Sequence, residues 1–373
     1  NLPSPGARCL PADLPEQLAS HCWMKGATVP AVLLDPADRE RLPLASCGAD
    51  GARRAAIEVA DGRIVSLRPE PPPEALALGH GVFDLDDSLV WSAFVEPHAH
   101  LDKGDLLSMG LPVQRRLFDA ISTCRADYLR WAPDEAAARA DFALRTAWAH
   151  GVRALNTYAD WPVPRPLGAP VVAGAGQALE ASGHDPLATW SVFSNLREQW
   201  RGRIELVLTS LLTIDAFADA AASDAIARRI AADGGVLGVF VYPGPHVPSL
   251  IPRVFEQAAR YDLSVDFHVD EHLEPAVANL PHVLQAARRS GLGHRTMCGH
   301  VCVLQRLPMA ERDRLLDEVA ESGVTLVSLP ATNLHLQDSR QEPPWATPRE
   351  RGILPVHEAR RRGIPLAFGA DNH

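Results

Sequence analysis

From residue 91 onward the chain alternates short apolar runs with longer amphipathic stretches, and this rhythm restricts the fold more than any other feature. The runs AFVEP, VRALNTY, IELVLTS, VLGVFVY, SVDFHVD, TMCGH, VTLVSLP and PLAFGAD are rich in β-branched and aromatic residues and read as strands. Between them lie stretches with helical periodicity, including PDEAAARADFALRTAWAHG, DAFADAAASDAIARRIAADGG, PSLIPRVFEQAARYD, EPAVANLPHVLQAARRSG, MAERDRLLDEVAESG and VHEARRRG. Several of these end in Gly just before the next strand, the expected C-terminal signal of a helix. Parallel strands need crossover helices, so eight β/α units predict a closed (β/α)8 TIM barrel over residues 91–373 rather than an open sheet.

The first 90 residues read differently. AAIEVADGRIVSLRP is a β-hairpin pattern with Asp61-Gly62 as its two-residue turn, and GVFDLDDSLV alternates in the same way. PEPPPEALALG is expected to be a Pro-rich connection, and residues 1–24 an irregular arm. Residues 1–90 are therefore an arm plus a small N-terminal β domain of the sandwich type.

In a parallel barrel, reactive side chains gather at the C-terminal ends of the strands. The first strand ends in EPHAH (His98, His100), the fifth in FHVDE (His268, Glu271), the sixth in CGH (His300) and the eighth in GAD (Asp371). His98 and His100 share a face because strand side chains alternate. Closure brings the eighth strand beside the first, so Asp371 is expected near both. A lone strand-end histidine is more often a hydrogen-bonded structural residue. Several of them at matching ends, with an aspartate, make a nitrogen/oxygen set for Zn²⁺ or Fe²⁺ that leaves room for water.

These segments, FVEPHAHLDK, FHVDE, CGH, TNLHLQ and FGAD in that order, resemble the amidohydrolase superfamily and its cytosine deaminase-like branch, which includes N-isopropylammelide amidohydrolase. The resemblance runs from about residue 57 to the end. It implies a distorted TIM barrel with a small β-sandwich and one divalent metal, Zn²⁺ or Fe²⁺. His98, His100, His268 and Asp371 would be the ligands, Glu271 the proton shuttle, and His300 the group orienting the attacking hydroxide, with Asp371 also accepting a proton. It implies deamination of an aminated N-heterocycle of pyrimidine, triazine or pterin type by metal-activated hydroxide. The fourth strand ends in VFVYPGPH without a lysine, which argues against the subtype that bridges two metals through a carboxylated lysine. Relatives also continue beyond the eighth strand, so a closing helix and the rest of the β domain are expected past His373.

Two departures bear on the substrate. Cytosine-acting relatives carry a glutamine after the third strand, where this chain has LVLTSLLT with Thr209 and Ser210. The branch commonly has RTHVD at the end of the second strand, where NTYAD (Asn156 to Asp160) stands here. Tyr158, Thr209, His335, Gln337 and Asn372 are the candidate substrate contacts. Cysteines flank His300, but strand-packed cysteines behave as small hydrophobes rather than thiolate ligands. Ring opening of a cyclic amide, as in dihydroorotase-like relatives, and a metal-free small-molecule-binding descendant are the alternative functions. A cytidine-deaminase-type zinc fold is excluded, since no HxE followed by PCxxC occurs.

A net charge of -10 excludes general nucleic-acid binding. No uninterrupted apolar segment or signal-peptide core is present, so no membrane association is expected. Six scattered cysteines in a chain of 373 residues read as reduced thiols of a cytoplasmic protein. The expected partner is a small-molecule substrate, and self-association into a homo-oligomer is compatible with this reading.

Overall fold

A computed structural model describes residues 20–45, 51–77, 81–104, 117–128, 132–161, 188–338 and 347–371. The chain divides into two compact units, Asn1–Ala93 and Phe94–His373.

In the first unit β1 (His21–Val29), α1 (Pro36–Arg41), β2 (Arg53–Ala60), β3 (Arg63–Arg68), α2 (Pro73–Ala77) and β4 (Gly81–Asp84) follow one another. The sheet order is β3-β2-β1-β4, with β1 and β2 antiparallel and β1 and β4 parallel. The hairpin turns on Asp61 (φ 49°) and Gly62 (φ 73°), the left-handed pair that a tight two-residue turn requires. Two expectations are corrected. Residues 21–24 are paired strand rather than irregular arm, because Cys22, Trp23 and Met24 pair with Val59, Glu58 and Ile57. The Pro-rich connection contains a helical turn, for which Pro73 supplies a preset φ at the first position.

The second unit is an eight-stranded parallel sheet with helices around it. It opens with β5 (Phe94–Ala99), α3 (Leu117–Tyr128), α4 (Pro133–Ala149), β6 (Val152–Asp160), α5 (Ala188–Gln199), β7 (Glu205–Thr213) and α6 (Ala220–Ala232). It continues with β8 (Leu237–Val241), α7 (Val247–Arg260), β9 (Val265–Val269), α8 (Leu280–Ser290), β10 (Thr296–His300), α9 (Met309–Ser322), β11 (Thr325–Ser328), α10 (Pro330–Leu336), α11 (Val356–Arg361) and β12 (Leu366–Phe368). Neighbours in the sheet follow chain order from β5 to β12, and all eight strand segments expected from the sequence are present. This is a (β/α)8 barrel.

The outward faces of the strands meet the helices in a continuous core. On α7, Val247, Leu250, Ile251, Val254, Phe255 and Ala258 are buried at spacings of three and four, one stripe along the helix. Phe255 packs on Phe267 of β9 with ring centroids 5.7 Å apart. Every residue of β9 is buried, as a strand covered on both faces must be. Each fully buried apolar side chain of this size contributes about 1.5–3 kcal/mol, so helix packing holds the inward face in register.

The last strand meets the first through specific contacts. Asp371 N–H donates to His98 O at 2.9 Å, and Ala370 N–H donates to the Glu96 carboxylate at 3.0 Å. Glu96 also accepts from His98 N–H at 2.9 Å. One carboxylate thus ties the end of β12 to the histidine-bearing end of β5. Gly369 permits this approach, because a Cβ there would lie 2.9 Å from Glu96 Oε1 and from His98 Cβ.

Candidate metal centre

The inward faces of β5, β9 and β10 and the turn after β12 bring His98, His100, His268, His300 and Asp371 together, all 5% exposed or less. His100 Nε2 lies 3.2 Å and His98 Nε2 3.5 Å from Asp371 Oδ1. His268 Nε2 faces His100 Nε2 at 3.5 Å, and His300 Nε2 is 3.9 Å from Asp371 Oδ2. Three groups hold potential ligand atoms all within 4.8 Å of one another: His98, His268 and His300; His98, His100 and Asp371; Glu271, His300 and Asp371.

The backbone is bent to make this convergence. His300 (φ 68°), Val301 (φ 45°), Asp270 (φ 52°) and Asp371 (φ 48°) all occupy the left-handed region where their strands end. For a β-branched residue such as Val301 that conformation is a genuine outlier. Strain of about 1–3 kcal/mol per residue is sustained only where packing fixes it, and such residues cluster at functional sites.

The donor set fits a divalent cation. Burial holds His268 well below the usual imidazole pKa, and the surrounding histidines push it the same way, so it is neutral. Burial opposes ionisation of Asp371, but the neighbouring His100, His98 and His300 hold its carboxyl well below the usual range. His268 Nδ1 and His300 Nε2 are buried without a hydrogen-bond partner among the described residues. A buried carboxylate among imidazole lone pairs, with polar atoms unsatisfied, is the electrostatic complement of a metal ion. Cys298 and Cys302 differ in kind, because burial drives both thiols well above their usual pKa and keeps them protonated.

Glu271 borders this cluster. Its Oε1 lies 3.4 Å from His300 Nδ1. Burial pushes its carboxyl up to about 7, with His300 pulling it down and Asp371 pushing it up. Gln337 Nε2 donates to the Glu271 carbonyl, and Asn333 Oδ1 lies 3.3 Å from His300 Nδ1. Lys103 sits 3.1 Å from His100 Nδ1 and 3.0 Å from Asp160 Oδ2, pairing with the aspartate that ends β6.

Four of the expected substrate contacts lie within the described residues. Tyr158 is fully buried beneath the cluster, its hydroxyl 2.9 Å from His98 Nδ1 and 2.7 Å from Asp266 Oδ2. Thr209 is fully buried and donates to Asn156 Oδ1 at 2.6 Å. Both are committed to other protein groups. The segment after β11 is helix α10, which turns His335 outward to an exposed position and Asn333 inward. Gln337 holds the Glu271 backbone, and Asn372 lies outside the described residues. His272 is buried and accepts from Glu274 N–H at 3.1 Å. Phe240 stands opposite His268 in the β8–β9 register with ring centroids 6.5 Å apart, and Tyr242 shares its face of the strand. Asp266, Asn156 and Glu96 were also missed as site residues. Stepping back two residues from each motif residue finds all three, since positions two apart share a face.

Comparison with known proteins fits this geometry. The chain is 29% identical over 356 residues to a pterin deaminase of Rhizobium rhizogenes, covering 95% of this chain and 74% of that protein. Among solved structures, the 5-methylcytosine deaminase of Klebsiella pneumoniae superposes with a TM-score of 0.71 at 21% identity, covering 94% of this chain and 75% of that one. N-isopropylammelide isopropylaminohydrolase of Burkholderia multivorans gives 0.65 at 22% identity, covering 95% and 75%. The chain shares its fold with these two enzymes. No family model matches the chain.

Proposed function

We propose that this protein is a deaminase of an aminated N-heterocycle of the pterin class, working with one divalent ion, Zn²⁺ or Fe²⁺, held by His98, His100, His268 and Asp371. The observation that carries the reading is Glu271. It is a buried carboxyl raised to about 7, beside His300 and facing the ligand cluster, and so poised to gain and lose a proton near neutral pH. A bound divalent ion supplies an activated water as nucleophile.

The protein groups perform the remaining work. Glu271 protonates a ring nitrogen of the substrate, which makes the adjacent carbon electrophilic, regains a proton from the water oxygen once that oxygen is bonded to the carbon, and delivers it to the departing amine. His300, steadied by Asn333, orients the nucleophile and stabilises the charge that develops on it. Asp371, kept ionised by its neighbours, receives the proton that the attacking water loses. Phe240 and Tyr242 offer an aromatic wall to a planar heterocycle.

The pterin class is supported by the relative from Rhizobium rhizogenes and by the loss of the glutamine that cytosine-acting enzymes use. The proton-carrying Glu271 favours amine release over ring opening. Among the described residues no helix is long and apolar enough to cross a membrane, and Cys22, Cys298 and Cys302 are buried free thiols, which supports a cytoplasmic setting. The test is an ammonia-release assay on metal-loaded protein with aminated pterins, pyrimidines, triazines and purines. Turnover is expected with pterins. Hydrolysis of cyclic amides with no amine released from any aminated ring would overturn the proposal.

A further inference from the structure

We infer that Tyr158 and Asp266 are a positioning pair that fixes the imidazole proton of His98 on Nδ1, so that Nε2 presents a lone pair to the metal; the inference rests on the metal-site reading above. A phenol carries one proton, and Tyr158 directs its own to Asp266 Oδ2 at 2.7 Å. Its oxygen is nevertheless 2.9 Å from His98 Nδ1. Two heteroatoms at that separation need a hydrogen between them. The phenol's hydrogen is spent on Asp266, so His98 Nδ1–H supplies it. A neutral imidazole has a single N–H, which leaves Nε2 unprotonated and facing Asp371.

The chain behind Tyr158 is anchored in a fixed sense. Asn156 Nδ2 donates to Asp266 Oδ2 at 3.2 Å and to Pro97 O at 3.0 Å, while Asn156 Oδ1 accepts from Thr209 at 2.6 Å. The threonine proton determines which end of the amide faces the aspartate. All four side chains are buried, so water does not compete. The arrangement extends the familiar carboxylate–histidine–metal contact by one phenol.

Two readouts test this. Metal-free protein carrying ¹⁵N-histidine is examined at pH 8 by long-range ¹H–¹⁵N correlation, with His98 assigned through H98Q. The Nδ1-protonated pattern is expected for His98 in the wild type, and its loss in Y158F. In competition with a chromogenic chelator, Y158F is expected to bind Zn²⁺ about 10–100-fold more weakly. D266N, whose amide oxygen still accepts from the phenol, is expected to fall between the two. An Nε2-protonated His98 in the wild type overturns the inference. So does a Y158F variant that melts lower but keeps the wild-type tautomer and affinity. A wild type that takes up Zn²⁺ no better than H268A removes the metal-site reading and the inference with it.

Discussion

At the residue scale, burial decides what each group can do. Glu271 is an ordinary carboxyl by sequence, and the enclosed site moves it to about 7. E271Q keeps the shape and removes the proton, so it should retain metal while kcat falls by about 10²–10⁴-fold or more. A near-normal kcat contradicts the assignment. The pH profile follows from the same shift. A general acid acts when protonated, so kcat/KM should decline as pH rises through about 7, tenfold per unit where Glu271 alone limits. A flat profile between pH 6 and 9 contradicts it. Residue identities that point to chemistry were legible in the sequence, since several histidines and an aspartate at matching strand ends converge on one place. Orientation was not. Tyr158 and Thr209 looked like substrate contacts because they sit at strand ends, yet Asp266 on β9 and Asn156 on the strand beside Thr209 claim their hydroxyls. Such pairing between distant segments leaves no trace in local spacing.

At the element scale, the barrel's rhythm could be read because period-two and period-3.6 patterns differ and glycines punctuate them. Gly291 (φ 72°) and Gly323 (φ 74°) terminate α8 and α9 as expected. Short elements escaped. Helix α10 covers Pro330–Leu336, too short for its periodicity to stand out from a polar loop, and its presence exchanged His335 for Asn333 as the inward residue. The closure by Glu96 also escaped, because it joins residues 274 positions apart. E96A leaves the His98 and Ala370 N–H groups without their acceptor, at a cost of about 1–3 kcal/mol if water does not replace it. It also loosens Asp371 relative to His98. The variant should therefore show both a lower melting temperature and weaker Zn²⁺ affinity, measured by thermal unfolding and chelator competition. A loss of stability with unchanged affinity would mean that Glu96 closes the barrel without positioning the ligand.

At the scale of the whole molecule, a parallel barrel collects the ends of remote strands into one buried cluster. His98 and Asp371, far apart in sequence, become neighbours there. That assembly could be anticipated from topology alone, since closure makes the first and last strands adjacent. A ligand that binds the folded state and not the unfolded chain raises stability by mass action, by about 2.7 kcal/mol at a hundredfold excess over Kd. Zn²⁺ should therefore raise the melting temperature of the metal-free wild type and leave H268A little changed. The most direct test of the account is the metal content of protein purified without chelator, by elemental analysis. The account predicts about one equivalent of Zn or Fe per chain. Protein that arrives metal-free and takes up none when offered Zn²⁺ or Fe²⁺ would contradict it.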